Sequence, residues 1–254
     1  MLPKVGTYKF NVATFEEDYK GQLSWRMLGK RLLGAADKHA SERNFSKMVI
    51  DDVEYLWVLS RLTVEIDSYP KMHEDYFITT WAQRYYSFFT DRCFEICNDK
   101  GDIIGKATSV WAMINSLTRK PAKMADLFGE TFDKYVDAER LFSMVRSPRI
   151  NVNTLETTAI RIPHYSNLDR NGHVHSIDYI EMVLDLFSKE FHAQHDVKRF
   201  EIAYNMETLE NEPLSFYMEP AFGKELTYNC IIRKNVDNPN TEGEIVCHTM
   251  VEFR

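Results

Sequence analysis

The densest cluster of chemically capable side chains is Asp169-Arg170-Asn171-Gly172-His173, placed directly ahead of an apolar helical pattern. Asn-Gly tolerates positive φ and predicts a tight turn. The turn would bring a carboxylate, an amide and an imidazole together beside a helix start, where unpaired backbone N–H groups and the helix dipole favour developing negative charge. A thioester carbonyl becoming an oxyanion is one such charge. The same residues equally describe a plain turn with His173 as a helix-terminal cap, so these positions alone do not decide. His175 should point away from His173 once the helix has begun, and it stays outside the constellation. His192 and His195, near the far end of the helix, read as capping or exposed groups; without a third ligand they make no metal site. No spacing in the chain calls for a metal or a cofactor.

The elements that must hold this corner are written twice, as an internal repeat. In the first half a short strand at Tyr8–Val12 precedes a helix from Gln22 to Arg43, with Leu23, Met27, Leu32, Ala35, Ala36 and His39 near one stripe. Strands follow at Trp57–Ile66, Tyr76–Arg84, Asp91–Asn98 and Ile104–Asn115. In the first of these Val58, Leu62, Val64 and Ile66 form the apolar face. The second half repeats the order: a strand at Thr157–Ile162, a helix at Val174–His192, and strands at Arg199–Thr208, Leu214–Glu219, Leu226–Arg233 and Glu244–Phe253. In that helix Val174, Ile177, Ile180, Leu184, Phe187 and Phe191 share one face. A striped helix followed by antiparallel strands packs most economically as a sheet curled around the helix. The expected fold is therefore α+β, a double hotdog of two tandem units. Residues 1–125 form the first unit, 126–154 a connector, and 155–254 the unit carrying the chemistry.

Composition narrows the function classes. A net charge of −7 over 254 residues offers no basic stripe for a phosphate backbone, which argues against nucleic acid. No apolar run approaches the ~20 residues of a membrane span, and the opening MLPKVGTYKF lacks the apolar core of a signal peptide. Cys93, Cys97, Cys230 and Cys247 show no metal or redox spacing and suggest reduced, mostly buried thiols in a cytoplasmic protein.

The motifs resemble one family along most of the chain. Asn167-Leu-Asp-Arg-Asn-Gly-His-Val-His-Ser-Ile-Asp-Tyr-Ile180 resembles the D-L-D-x-N-x-H-V-N-N-x-x-Y-I motif of the acyl-acyl carrier protein thioesterases of plants and bacteria, departing at Asn167, His175 and Ser176. Trp57-Val-Leu-Ser-Arg-Leu-Thr-Val-Glu-Ile-Asp-Ser-Tyr-Pro70 is similar to its W-V-L-S-R-x-x-V-E-V-D-x-Y-P. Ala107-Thr-Ser-Val-Trp-Ala-Met-Ile-Asn115 with Thr118-Arg119 is similar to its A-T-S-V-W-x-M-x-N-x-x-T-R. Ile202-Ala-Tyr-Asn-Met-Glu207 fits a further pattern, L-E-Y-R-R-E, on the strand after the second helix. The matches run in order from Trp57 to Glu207. The resemblance implies a catalytic set of Asp169, Asn171, His173 and Glu207, with no thiol nucleophile, because Thr208 stands where plant members carry a cysteine.

The implied reaction is hydrolysis of a fatty acyl-acyl carrier protein to a free fatty acid and the carrier thiol. Two routes are open. Glu207 and His173 activate water while Asn171 and backbone N–H groups orient the carbonyl, or Asp169 attacks to form a mixed anhydride. The first half sets Asp18, Lys20 and Gln22 against Asp169, Asn171 and His173, which suggests one active site per chain. Trp25, Met27, Trp111 and Met113 are candidates to line an acyl tunnel. An acidic carrier bearing a phosphopantetheine arm would need a basic rim. Arg119, Lys120 and Lys123 are the densest cluster, with Arg146 and Arg149 next. Competing readings are an acyl-CoA thioesterase and a non-catalytic acyl-thioester-binding protein. A monomer and a homodimer are both compatible with the sequence.

Overall fold

The computed structural model describes residues 2–254 apart from 47, 51, 146–149 and 237–242. It divides into two compact units, Met1–Val145 and Arg146–Arg254. Each unit is an antiparallel sheet packed on helix, the hotdog arrangement.

In the first unit the strands are β1 (Gly6–Asn11), β2 (Met48–Ile50), β3 (Val53–Ile66), β4 (Asp75–Tyr86), β5 (Phe89–Asn98) and β6 (Ile103–Asn115). They pair in the order β1-β4-β5-β6-β3, with β2 hairpinned onto β3. Helix α1 (Trp25–Glu42) starts where Ser24 accepts the Met27 N–H, and it turns Leu28, Leu32, Ala35, Ala36, His39 and Ala40 inward at helical spacing. Opposite it, β4 alternates, burying Tyr76, Ile78, Thr80 and Ala82.

The stretch expected to open the connector is built into this unit. Helix α2 (Met124–Phe128) and a 3₁₀ turn bury Phe128 and Phe132 with Phe45, Ala82 and Met113, and Phe128 stacks on Trp57 at 6.1 Å. The weak helical pattern read between the halves is thus partly core.

His39 lies at the centre of the first unit with none of its surface exposed. Nε2 is 3.0 Å from the Lys4 carbonyl and Nδ1 is 3.2 Å from Arg92 Nη1. Burial, then the nearby Arg92 and Arg43 cations, pull its pKa down to about 3. The unfolded chain takes up this proton near pH 6.5 while the folded protein refuses it, so stability drains as pH falls from 6.5 towards 3. We expect the unfolding free energy to drop by roughly 2–3 kcal/mol more between pH 6.5 and 4.5 than in a His39→Gln variant, read from urea midpoints. Parallel pH profiles for the two proteins would contradict this.

The second unit contains β7 (Ala159–Arg161), α3 (Ser176–Leu184), α4 (Lys189–Gln194), β8 (Val197–Tyr204), β9 (Leu214–Pro220), β10 (Thr227–Lys234) and β11 (Glu244–Phe253), paired in the order β8-β11-β10-β9-β7. The single helix expected from Val174 to His192 is broken. Leu186 and Phe187 close tight turns onto Val183 and Leu184, and Ser188 caps a new helix at Phe191. The break lets Phe187 and Phe191 both pack on Phe253, at 4.8 and 4.9 Å between ring centroids. The His192 ring reaches back to the Leu184 carbonyl at 3.0 Å, closing the end of α3. Among the described residues, no helix is long and apolar enough to cross a membrane.

Candidate active site

The corner forms as a closed loop ahead of α3. Asp169 N–H donates to the His173 carbonyl at 2.7 Å and Gly172 N–H to the Asp169 carbonyl at 3.0 Å, with Gly172 at φ 79°. That positive φ is the reason for a glycine here. The Asp169 carboxylate is turned into the loop. Oδ1 accepts the backbone N–H groups of Asn171 (2.7 Å) and His173 (3.1 Å), and Oδ2 accepts Asn171 Nδ2 at 3.4 Å. The helix starts later than expected, with His175 as its N-cap, so His173 is neither in the helix nor its cap.

Glu207 is delivered differently from the expectation of a strand residue. β8 ends at Tyr204 and Glu207 lies in the loop beyond it. That loop runs antiparallel against the corner: Val174 N–H donates to the Thr208 carbonyl at 2.9 Å, and His173 bridges to Leu209. The result sets His173 Nε2 3.3 Å from Glu207 Oε2, with the two side chains 23% and 44% exposed. All four expected residues therefore join one network, from Asn171 through Asp169 and the His173 backbone to the imidazole and Glu207. Thr208 is fully buried and supplies no thiol.

Supporting residues had no signal in the sequence. Lys234 Nζ of β10 donates to the Glu207 carbonyl at 2.8 Å and to Glu212 at 3.2 Å, while Glu212 accepts the Leu209 N–H at 2.8 Å. Asn167 ties the loop to α3 through the buried Asp178 at 3.0 Å, and Tyr204 donates to the Ser176 carbonyl at 2.7 Å. Asn167 showed in the sequence only as a departure from the family motif.

The first unit contains the same loop without the chemistry. Asp18 N–H donates to the Gln22 carbonyl at 2.7 Å, Gly21 has φ 73°, and Asp18 Oδ1 accepts the N–H groups of Lys20 (2.8 Å) and Gln22 (3.3 Å). Leu23 N–H donates to the Pro70 carbonyl as Val174 does to Thr208, and Gln22 bridges to Lys71 as His173 does to Leu209. By this pairing Tyr69 stands where Glu207 stands, and its hydroxyl accepts Trp25 Nε1 at 2.7 Å. The scaffold is duplicated; the imidazole and the facing carboxylate occur in one copy.

Of the residues considered for an acyl tunnel, Trp111 lines a cavity of the first unit, with Trp57, Phe45 and Phe132 among its other walls. Met113 is core, and Trp25 is buried on Tyr69. None of the four network residues lines that cavity. Arg119, Lys120 and Lys123 are exposed, whereas Arg146 and Arg149 lie outside the described residues.

Comparison with known proteins agrees with the motif reading in both halves. Residues 3–132 match the acyl-ACP thioesterase N-terminal domain and residues 153–254 the acyl-ACP thioesterase C-terminal domain. A crystal structure of an acyl-ACP thioesterase from Bacteroides thetaiotaomicron is 38% identical, with a TM-score of 0.86 over 99% of this chain and 98% of that one. The 12:0-ACP thioesterase of Umbellularia californica shares the fold at 17% identity, with a TM-score of 0.84 over 100% of this chain and 98% of that one. An oleoyl-acyl carrier protein thioesterase of Arabidopsis thaliana, described as chloroplastic, is 26% identical over 80% of this chain, and the match spans 60% of that relative's length. On the two domain matches and the near full-length 38% identity, the chain belongs to the acyl-ACP thioesterase family.

Proposed function

We propose that the protein hydrolyses fatty acyl thioesters of acyl carrier protein, releasing the fatty acid and the carrier's thiol. The observation that carries this reading is the His173–Glu207 pair at 3.3 Å, held beside Asn171 by the Asp169 loop in a member of this family. A water bound against the imidazole–carboxylate pair loses its proton to that pair as its oxygen attacks the thioester carbonyl. The exposed Asn171 amide is placed to donate to the developing oxyanion. Collapse breaks the C–S bond, and the proton passes to the leaving thiolate.

The geometry favours this water route over attack by Asp169. To act as a nucleophile, the Asp169 carboxylate would have to give up two backbone N–H bonds and so dismantle the loop that positions His173. Asp18 makes the equivalent bonds in a loop with glutamine in place of the imidazole, so these bonds serve the loop and not the chemistry. Asp169 acts by positioning.

For the carrier, the exposed Arg119, Lys120 and Lys123 supply basic side chains suited to an acidic partner. A cytoplasmic setting fits four cysteines of which none forms a disulfide among the described residues. Free-thiol release measured with one acyl chain on carrier protein and on CoA tests the substrate assignment. At least tenfold higher kcat/KM on the carrier thioester is expected. Equal or better turnover on CoA would instead make the protein an acyl-CoA thioesterase, and binding with no thiol release would make it a sensor.

A further inference from the structure

Asn167 is the junction at which the loop holding Asp169, Asn171 and His173 opens and closes. The chain leaves Asn167 at Leu168 and returns to it at His175, whose N–H donates to the Asn167 carbonyl at 2.8 Å. The Asn167 side chain ties this junction in two directions. Oδ1 accepts the His164 N–H at 2.9 Å, and Nδ2 donates to Asp178 Oδ2 at 3.0 Å. These partners fix the orientation of the amide, because a backbone N–H needs an acceptor and a carboxylate needs a donor. Asp178 lies in the first turn of α3 with 1% of its surface exposed, where a carboxylate is costly to leave without donors.

The first unit contains the same junction with the charges rearranged. The Ser24 N–H, at the start of α1, donates to the Glu16 carbonyl at 3.0 Å, as His175 does to Asn167. The Ala13 N–H donates to Glu16 Oε2 at 3.3 Å, as His164 does to Asn167 Oδ1. The other side-chain oxygen again grips the helix, but here Glu16 Oε1 meets Arg31 Nη2 in an ion pair. Met27 stands at the place of Asp178, and Arg31 comes from the next turn of the helix. Position 16 carries an acid where its helix offers a cation, and position 167 carries an amide donor where its helix offers an acid. The backbone bonds recur unchanged while the side chain follows its helix partner. A turn that needed only some polar residue would show no such match.

We infer that Asn167 and Asp178 form a charge-matched clasp that sets the His173 loop on α3, which makes Asn167 a positioning residue for turnover. The family motif carries an aspartate where this chain has Asn167. In this chain that aspartate would keep the His164 bond and set a second carboxylate against Asp178. Restoring the motif is therefore expected to damage the site, and exchanging the two residues to repair it. The effect on turnover rests on the proposed hydrolysis; the clasp itself does not.

Asn167→Asp is expected to lower kcat for acyl-acyl carrier protein about 30-fold with KM changed by less than about threefold, as for a base held slightly out of place. The exchanged variant, Asn167→Asp with Asp178→Asn, puts the donor on the helix and should recover kcat to within about threefold of the wild type. Glu16→Gln, which weakens the matching ion pair in the first unit, should lower the melting temperature and leave kcat unchanged. The backbone amide resonance of His173 reads the loop without turnover: it should shift in Asn167→Asp and return in the exchanged variant. If Asn167→Asp does not fold, the exchanged variant still decides. Full activity in Asn167→Asp, an exchanged variant that stays slow or does not fold, or an equal loss of kcat in Glu16→Gln would overturn the inference. A His173 resonance that follows the clasp in a protein releasing no thiol would sink the hydrolase reading alone.

Discussion

His173→Ala is expected to lower kcat for acyl-carrier thioester hydrolysis by about 10³, within the range lost when a positioned general base is removed. The loss corresponds to about 4 kcal/mol of transition-state stabilisation. Within the network the imidazole is the base that no backbone bond restrains. The Asp169 carboxylate is committed to N–H groups, and Glu207 faces the ring at 3.3 Å. The loop should survive the change, because the His173 carbonyl and N–H bonds and the Val174–Thr208 bond do not use the side chain. KM and the melting temperature should therefore move little while kcat falls. Parallel collapse of stability and activity would show that the ring is structural.

Asp169→Asn is expected to cost about 10² in kcat, the scale of a catalytic group displaced by about 1 Å. Asparagine keeps one oxygen for the Asn171 and His173 N–H groups but points an amide at Asn171 Nδ2, which is itself a donor. The loop loosens, and the imidazole moves relative to Glu207. Asp18→Asn is the built-in control: it disturbs the same bonds in the other unit and should lower stability with kcat nearly unchanged. A nucleophilic Asp169 predicts something else. When water opens the mixed anhydride at the Asp169 carbonyl carbon, turnover in H₂¹⁸O leaves label in the Asp169 carboxylate of the wild-type protein, detectable by peptide mass spectrometry; direct attack of water on the thioester labels only the released fatty acid.

Strand positions were legible to within a few residues because period-two patterns such as Val58 to Ile66 need no partner information. The corner was legible too, since Asn171-Gly172 fixes a turn locally and the family motif assigns its residues. What failed was whatever depends on distant contacts. The break after Leu184 carries no proline or glycine and exists because Phe187 and Phe191 pack on Tyr228 and Phe253. Glu207 was expected on a strand; the chain leaves β8 at Tyr204 because the loop pairs with residues 173–174 instead. Lys234 and Glu212, which anchor that loop, lie too far along the chain for any spacing rule to flag.

The central claim is that His173 and Glu207 work as one unit on a thioester. A double-mutant cycle of His173→Ala and Glu207→Gln, read as free thiol released from acyl-acyl carrier protein, tests it most directly. The account predicts stoichiometric thiol and fatty acid from the wild type and a double variant no slower than the slower single one. Absence of thiol release by the wild type, or losses that multiply in the double variant, would contradict it.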